Sequence, residues 1–193
     1  MHKIKHLFYI TIFFITLVIY STILFANPKI KIIDNVTEIK TLKFNFNQLS
    51  SNSKNIEVGI CYLAKPHFLN CLYNDKVQKQ IIVNRKNLVI FHRKFKKLYN
   101  YPATRSYFLD ILDNKKFSDL INKGKIKKNK NNFELEYFNK DKGKITIYFD
   151  EKNYNLNGWK VVSLNKIETI FKIENLSKNI ELDKRMFKIP DIN

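Results

Sequence analysis

The chain has 193 residues, a length for one domain, and a formal net charge of +18 at pH 7 from 35 basic and 17 acidic residues. Glycines stand only at positions 59, 124, 143 and 158, too far apart for a GxGxxG turn or a phosphate loop, which excludes Rossmann-type nucleotide sites and Walker ATPases. No HExxH, CxxC or GxSxG occurs, so the composition points to a binding or carrier protein rather than an enzyme.

In chain order, Met1–His6 carries Lys3 and Lys5, and Leu7–Phe25 then runs 19 residues without a charge before Ala26. A basic start, an apolar run and a small residue make residues 1–26 an expected signal peptide. The run is also long enough to serve as an uncleaved membrane anchor. No cysteine follows it directly, so no lipid anchor is expected, and the folded part, 27–193, is expected outside the cytoplasm. Ile30–Lys40 places apolar residues at 30, 33, 36 and 39, with 32 beside them, which suits an amphipathic helix. The period then becomes two: Leu42, Phe44 and Phe46 alternate with Lys43, Asn45 and Asn47, a half-buried strand.

Further strands are expected at Glu57–Leu63, Leu69–Tyr73, Lys79–Val83, Leu88–Phe91 and Lys97–Tyr101. Ser106–Asp119 reads as one or two short helices, and Lys125–Asn132 as a solvated loop. The second half reads as a meander: Phe133–Phe138, Lys144–Phe149, Leu156–Leu164, Lys166–Glu174 and Met186–Ile189. About ten antiparallel strands with helices at the start and in the middle make a mainly β (α+β) domain whose sheet must curl, its open face covered by helices.

Cys61 and Cys71 flank a hairpin turn at Lys65-Pro66-His67, which would set them opposite each other. An oxidising compartment permits a disulfide. Two buried thiols are the alternative, and a metal site with His67 and His92 is disfavoured because that spacing forms no four-ligand cage. No metal and no cofactor is expected. The positive charge comes from 31 Lys against 4 Arg, beside 26 Ile and 24 Asn, a composition that AT-rich codons favour. Lysine is a hydrated point charge rather than the planar fork that reads bases and phosphates, so nucleic acid is not an expected partner. A solvated lysine surface, or attraction to anionic membranes, fits instead. From Asn27 onward there are 12 Phe and 8 Tyr, which either fill an ordinary core or line the concave face of the curled sheet as an apolar pocket.

The succession Leu42-x-Phe44-x-Phe46-x-Gln48, Gly59 followed by Lys65-Pro66, Ile82-Val83 with Leu88-x-x-Phe91, Leu156-Asn-Gly-Trp159 and a terminal Phe187-Lys-Ile-Pro190 resembles the LolA family of periplasmic outer-membrane lipoprotein carriers. The resemblance spans residues 30–192. It implies an unclosed antiparallel β half-barrel of about 10–11 strands with a helical lid, which carries acylated lipoproteins from the inner to the outer membrane with their acyl chains in an apolar cavity. Implied partners are an inner-membrane lipoprotein-releasing ABC transporter and an outer-membrane receptor, with the carrier itself a monomer. The alternatives are a lipid-binding or envelope-sensing module of the same fold, or a membrane-anchored basic binding protein. By position, Lys65 matches a family arginine that latches the lid, a substitution that exchanges a rigid fork for a point donor. Leu69 and Ile82 match inward cavity residues, Phe44 and Phe46 point the same way on the first strand, and Val36 is the expected apolar contact of the lid.

Overall fold

The computed structural model describes residues 27–53 and 55–191, so the expected signal peptide lies outside the described residues. Within them, eleven strands build one antiparallel sheet. They are β1 (Thr41–Ser50), β2 (Glu57–Ala64), β3 (Phe68–Tyr73), β4 (Lys79–Asn84), β5 (Asn87–His92) and β6 (Lys97–Pro102), then β7 (Lys125–Asn129), β8 (Asn132–Asn139), β9 (Gly143–Asp150), β10 (Leu156–Val162) and β11 (Glu168–Lys178). The order β6-β5-β4-β3-β2-β1-β11-β10-β9-β8-β7 is two meanders joined through the long β1–β11 pair. β6 and β7 end the sheet without meeting, so the barrel stays open.

Register fixes which side chains share a face. Leu42, Leu63, Leu69, Val83 and Leu88 stand in line across β1 to β5. Phe171, Trp159, Ile147, Leu135 and Ile126 do the same across β11 to β7. Three helices cover this concave face: α1 (Pro28–Thr37), α2 (Phe108–Leu112) and α3 (Asn114–Lys123). Asn27 caps α1 by accepting from Lys29 N, with Pro28 at the first turn. Asp113 caps α3 by accepting from Lys116 N at 2.9 Å. α3 then buries Phe117, Leu120 and Ile121 at i, i+3, i+4 spacing. Ile32 and Val36 of α1 join them in one core. Ile30, expected on the same face, is 57% exposed, because the buried stripe runs through 32 and 36 instead.

Two expectations are corrected. The Lys125–Asn132 tract is not a loop: it forms β7 and the turn into β8, with Ile126 opposite Leu135 and the lysines on a solvated edge. Met186–Ile189 is not a strand. Lys184–Phe187 is a 3₁₀ turn lying on the convex face, where Asn70 Nδ2 donates to Met186 O at 2.7 Å and Asn84 Nδ2 to Phe187 O at 3.0 Å. Phe187 packs there against Phe68, ring centroids 5.7 Å apart.

Candidate functional site: a cleft under the lid

Between the concave face and α2 lies a cleft of about 440 Å³. Its floor is apolar: Ile81 and Ile90 come from β4 and β5, Trp159 and Val161 from β10, and Phe171 from β11. Tyr107, just ahead of α2, joins Phe108 and Ile111 of that helix to roof it. Phe108 meets the Trp159 ring edge-on at 6.5 Å. An aromatic ladder runs on from the floor. Trp159 stacks on Phe171 at 4.2 Å, Phe171 on Phe46 at 4.7 Å, and Phe46 meets Tyr73 edge-on at 4.8 Å. Phe46 and Tyr73 stand in register on either side of Gly59. Glycine is required there: a Cβ would lie 2.1 Å from Leu72 O and 2.7 Å from the Phe46 ring.

The rim is polar. Lys79 pairs with Glu57 and lies 3.9 Å from the Tyr73 ring, and Lys142 pairs with Asp110 at 2.5 Å. Tyr73 Oη donates to Gln48 at 2.8 Å and Tyr107 Oη to Gly143 O at 2.7 Å. Burial raises both phenols, with the nearby Glu57 reinforcing it for Tyr73; Tyr107 rises to about 12, helped by Tyr137 and Asp110. Both tyrosines therefore remain neutral donors. Arg105, at the mouth, is exposed.

The expected latch and cavity residues fall in distinct places. Lys65, in the β2–β3 turn, sends Nζ to Val36 O of α1 at 2.7 Å and to Asn114 Oδ1 of α3 at 2.6 Å, while Asn114 Nδ2 donates to Thr37 O at 3.3 Å. The ammonium thus bridges the end of one lid helix and the start of another. Burial pulls its pKa down to about 8, partly opposed by Asp113. Val36, Phe44, Phe46 and Leu69 are all buried in the closed core, and none of them borders the open cleft. Ile82 is corrected: it lies on the convex face, packed with Val89, Phe91, Leu98 and Ile189, because alternation along β4 turns Ile81 and Val83 inward instead. Cys61 and Cys71 sit opposite each other in β2 and β3, on the concave side, and are joined as a disulfide with Cα atoms 4.0 Å apart. His67 faces Asp113 at 3.6 Å and His92 lies against Tyr99; among the described residues no group of three His, Cys, Asp or Glu converges as a metal cage.

The cleft residues Ile81, Ile90, Trp159 and Phe171 are not among the expected set. Ile81-Ile82-Val83 reads as continuous apolar sequence because both faces of β4 are covered, so alternation there gives no signal of parity. Trp159 and Phe171 belong to expected strands, and only their register across β10–β11 brings them together.

An open eleven-stranded half-barrel with this lid and cleft invites comparison with known proteins. The family model for outer membrane lipoprotein carrier protein LolA matches residues 37–190. The chain belongs to the LolA family. No individual curated protein matches it in sequence. Among solved structures, a conserved protein from Thermus thermophilus is similar with a TM-score of 0.55 at 6% identity, over 83% of this chain and 93% of that one. A chain of the Pseudomonas aeruginosa MucA/MucB complex is similar at 0.50 and 9% identity, over 86% of this LolA-family chain and 62% of that one. A LolA superfamily protein from Nitrosomonas europaea reaches 0.46 at 8% identity, over 85% and 99%. At these identities the likeness is one of fold. No helix among the described residues is long and apolar enough to cross a membrane.

Proposed function

We propose that this protein is a periplasmic carrier that holds the acyl chains of lipoproteins beneath its lid and passes them from the inner to the outer membrane. The observation that carries the reading is the cleft: about 440 Å³ and lined mainly by apolar surface from Ile81, Ile90, Phe108, Trp159, Val161 and Phe171, with Gln48, Lys79, Lys142 and Thr169 among them. That volume falls within the roughly 300–1,000 Å³ of single-ligand pockets, so loading several acyl chains requires the lid to move. Lys65 is one of the residues that hold it, through Val36 O and Asn114. The ABC transporter of the inner membrane supplies cargo and an outer-membrane receptor accepts it. The half-buried charged groups of the rim are paired with one another, which supports binding without a chemical step.

A second reading, a lipid-binding or envelope-sensing module of the same fold, draws on the same cleft, which fits the chain of a free lipid as well. One experiment separates the two. A photoreactive side chain at Val161, on the cleft floor, is crosslinked in cells and the adducts are identified by mass spectrometry. Acylated lipoprotein adducts are the expected result. Phospholipid adducts alone would move the protein to the second reading, and the absence of any apolar adduct would overturn the cleft as an acyl site.

A further inference from the structure

Among the described residues, β6 and the turn before it form a surface both basic and aromatic. Residues 93–105 read Arg-Lys-Phe-Lys-Lys-Leu-Tyr-Asn-Tyr-Pro-Ala-Thr-Arg, with five cations and no acid. Phe95, Tyr99 and Tyr101 project here with 54%, 41% and 49% of their surfaces exposed. Among the described residues, none of the five cations takes part in an ion pair. Arg93 Nε reaches Gln78 O at 3.4 Å, and Lys94 Nζ lies 5.8 Å from the Phe95 ring. The adjoining turn adds Lys76 and one acid, Asp75, whose carboxylate accepts from Lys79 N.

The opposite edge supplies the contrast. β7 is as rich in lysine, but Lys128 pairs there with Glu151, and Glu136 on β8 faces Lys125 in register and feels the charge of Lys127. β7 itself carries no aromatic residue. Uncompensated cations beside exposed aromatic rings are the chemistry of a membrane interface, where rings settle among headgroups and ammonium and guanidinium groups meet anionic lipid. Register connects this surface to the cleft. Tyr99 stands opposite Ile90 and so shares its concave face, Ile90 lines the cleft, and Arg105 stands at the mouth.

We infer that the β6 edge, from Arg93 to Arg105, is a docking surface for an anionic phospholipid bilayer, which brings the open side of the cleft against the lipid. Docking there lets an acyl chain move between bilayer and cleft across Tyr99 and Tyr101 without crossing water.

The test is hydrogen exchange of the full chain on vesicles of phosphatidylcholine alone and of phosphatidylcholine with phosphatidylglycerol, titrated in lipid. The comparison is made segment by segment, so insertion of the apolar N-terminus into either vesicle does not obscure it. The expected result is slowed exchange in residues 93–105 on the anionic vesicles, with residues 125–130 unchanged. Each cation near an anionic surface contributes about fivefold in partitioning, so the double variant Lys94→Gln/Lys97→Gln raises the lipid concentration for half-protection by about 25-fold. Phe95→Ser weakens protection at unchanged charge. Equal protection of 93–105 and 125–130, equal protection on both vesicle types, or no protection at all would overturn the assignment. The Val161 crosslink reports on the cleft alone, so loss of either result leaves the other interpretable.

Discussion

Replacing Lys65 by methionine removes the Nζ donor shared by Val36 O and Asn114 Oδ1 while keeping most of the aliphatic stem. The ammonium is held at a cost, since burial lowers its pKa from 10.5 to about 8 in spite of Asp113. Below pH 8 the lysine is protonated in both folded and unfolded chains, and the folded state carries that cost in full. Between about pH 8 and 10.5 the unfolded chain still binds a proton that the folded chain has released, so stability rises with pH. At 1.36 kcal/mol per pH unit the ceiling is ~3.4 kcal/mol, and partial access to water reduces the expected rise to about 1–2 kcal/mol. Lys65→Met lacks this rise. The raised phenols of Tyr73, Tyr107 and Tyr148 lower stability at high pH in both proteins alike, so they cancel in the difference. Urea unfolding of both proteins from pH 7 to 10.5 measures it, and curves that run parallel would refute the buried, bridging ammonium. At pH 7 the variant gains from losing the buried charge and loses two hydrogen bonds, so the global change stays within about 1 kcal/mol, while α1 amides exchange about tenfold faster.

The disulfide closes a short loop, with a sequence separation of 10, so Cys61→Ser/Cys71→Ser should cost about 3 kcal/mol and lower the melting temperature by roughly 6–12 °C in calorimetry. Gly59→Val places a Cβ against Leu72 O and the Phe46 ring. It should destabilise by about 1–3 kcal/mol, with the near-ultraviolet circular dichroism of the ladder reduced. The two neighbours on β4 separate the faces: Ile81→Trp fills the cleft and abolishes the Val161 acyl adducts. Ile82→Ala, on the convex side, costs roughly 2–5 kcal/mol of stability and leaves those adducts in place, as crosslinking yield beside a thermal melt will record.

How far the sequence discloses this molecule depends on what covers each face. β1 is legible because helices lie on one side and water on the other, so Leu42, Phe44 and Phe46 alternate with polar neighbours and are buried while Lys43 and Asn45 are not. β4 is opaque because the C-terminal segment covers its second face, making Ile82 as apolar as Ile81. β7 is hidden for a different reason: an edge strand guarded by lysines has the composition of a loop, and only Ile126 marks its inner side. The lid bridge is non-local, since Lys65 meets partners 29 and 49 residues away. No spacing rule predicts such a meeting, and family resemblance alone singles out that lysine.

The arrangement of α1 bears on how the proposed carrier can both hold and release. Side-chain hydrogen bonds fasten the helix, among them Lys29 Nζ to Asn122 O and Gly124 O, Asn35 Nδ2 to Tyr154 O, Lys178 Nζ to Asn35 Oδ1, Lys65 Nζ to Val36 O and Asn114 Nδ2 to Thr37 O. At about 0.5–1.5 kcal/mol net for each, these six contribute on the order of 3–9 kcal/mol to closure. Ile32 and Val36 add apolar burial of about 1.5–3 kcal/mol apiece. An acyl chain entering beneath a raised helix can replace the apolar contacts, methylene for methylene at about 0.8 kcal/mol, but it has no donors to replace the polar ties. The apolar part of closure is therefore exchanged with cargo at little cost, and the polar ties are the part that opposes loading. They are also what favours expulsion once the helix can reclose. A lid fastened by lysines and asparagines rather than by a rigid guanidinium fork holds each tie by a single flexible donor, which places opening within reach of a modest push from a membrane or a partner.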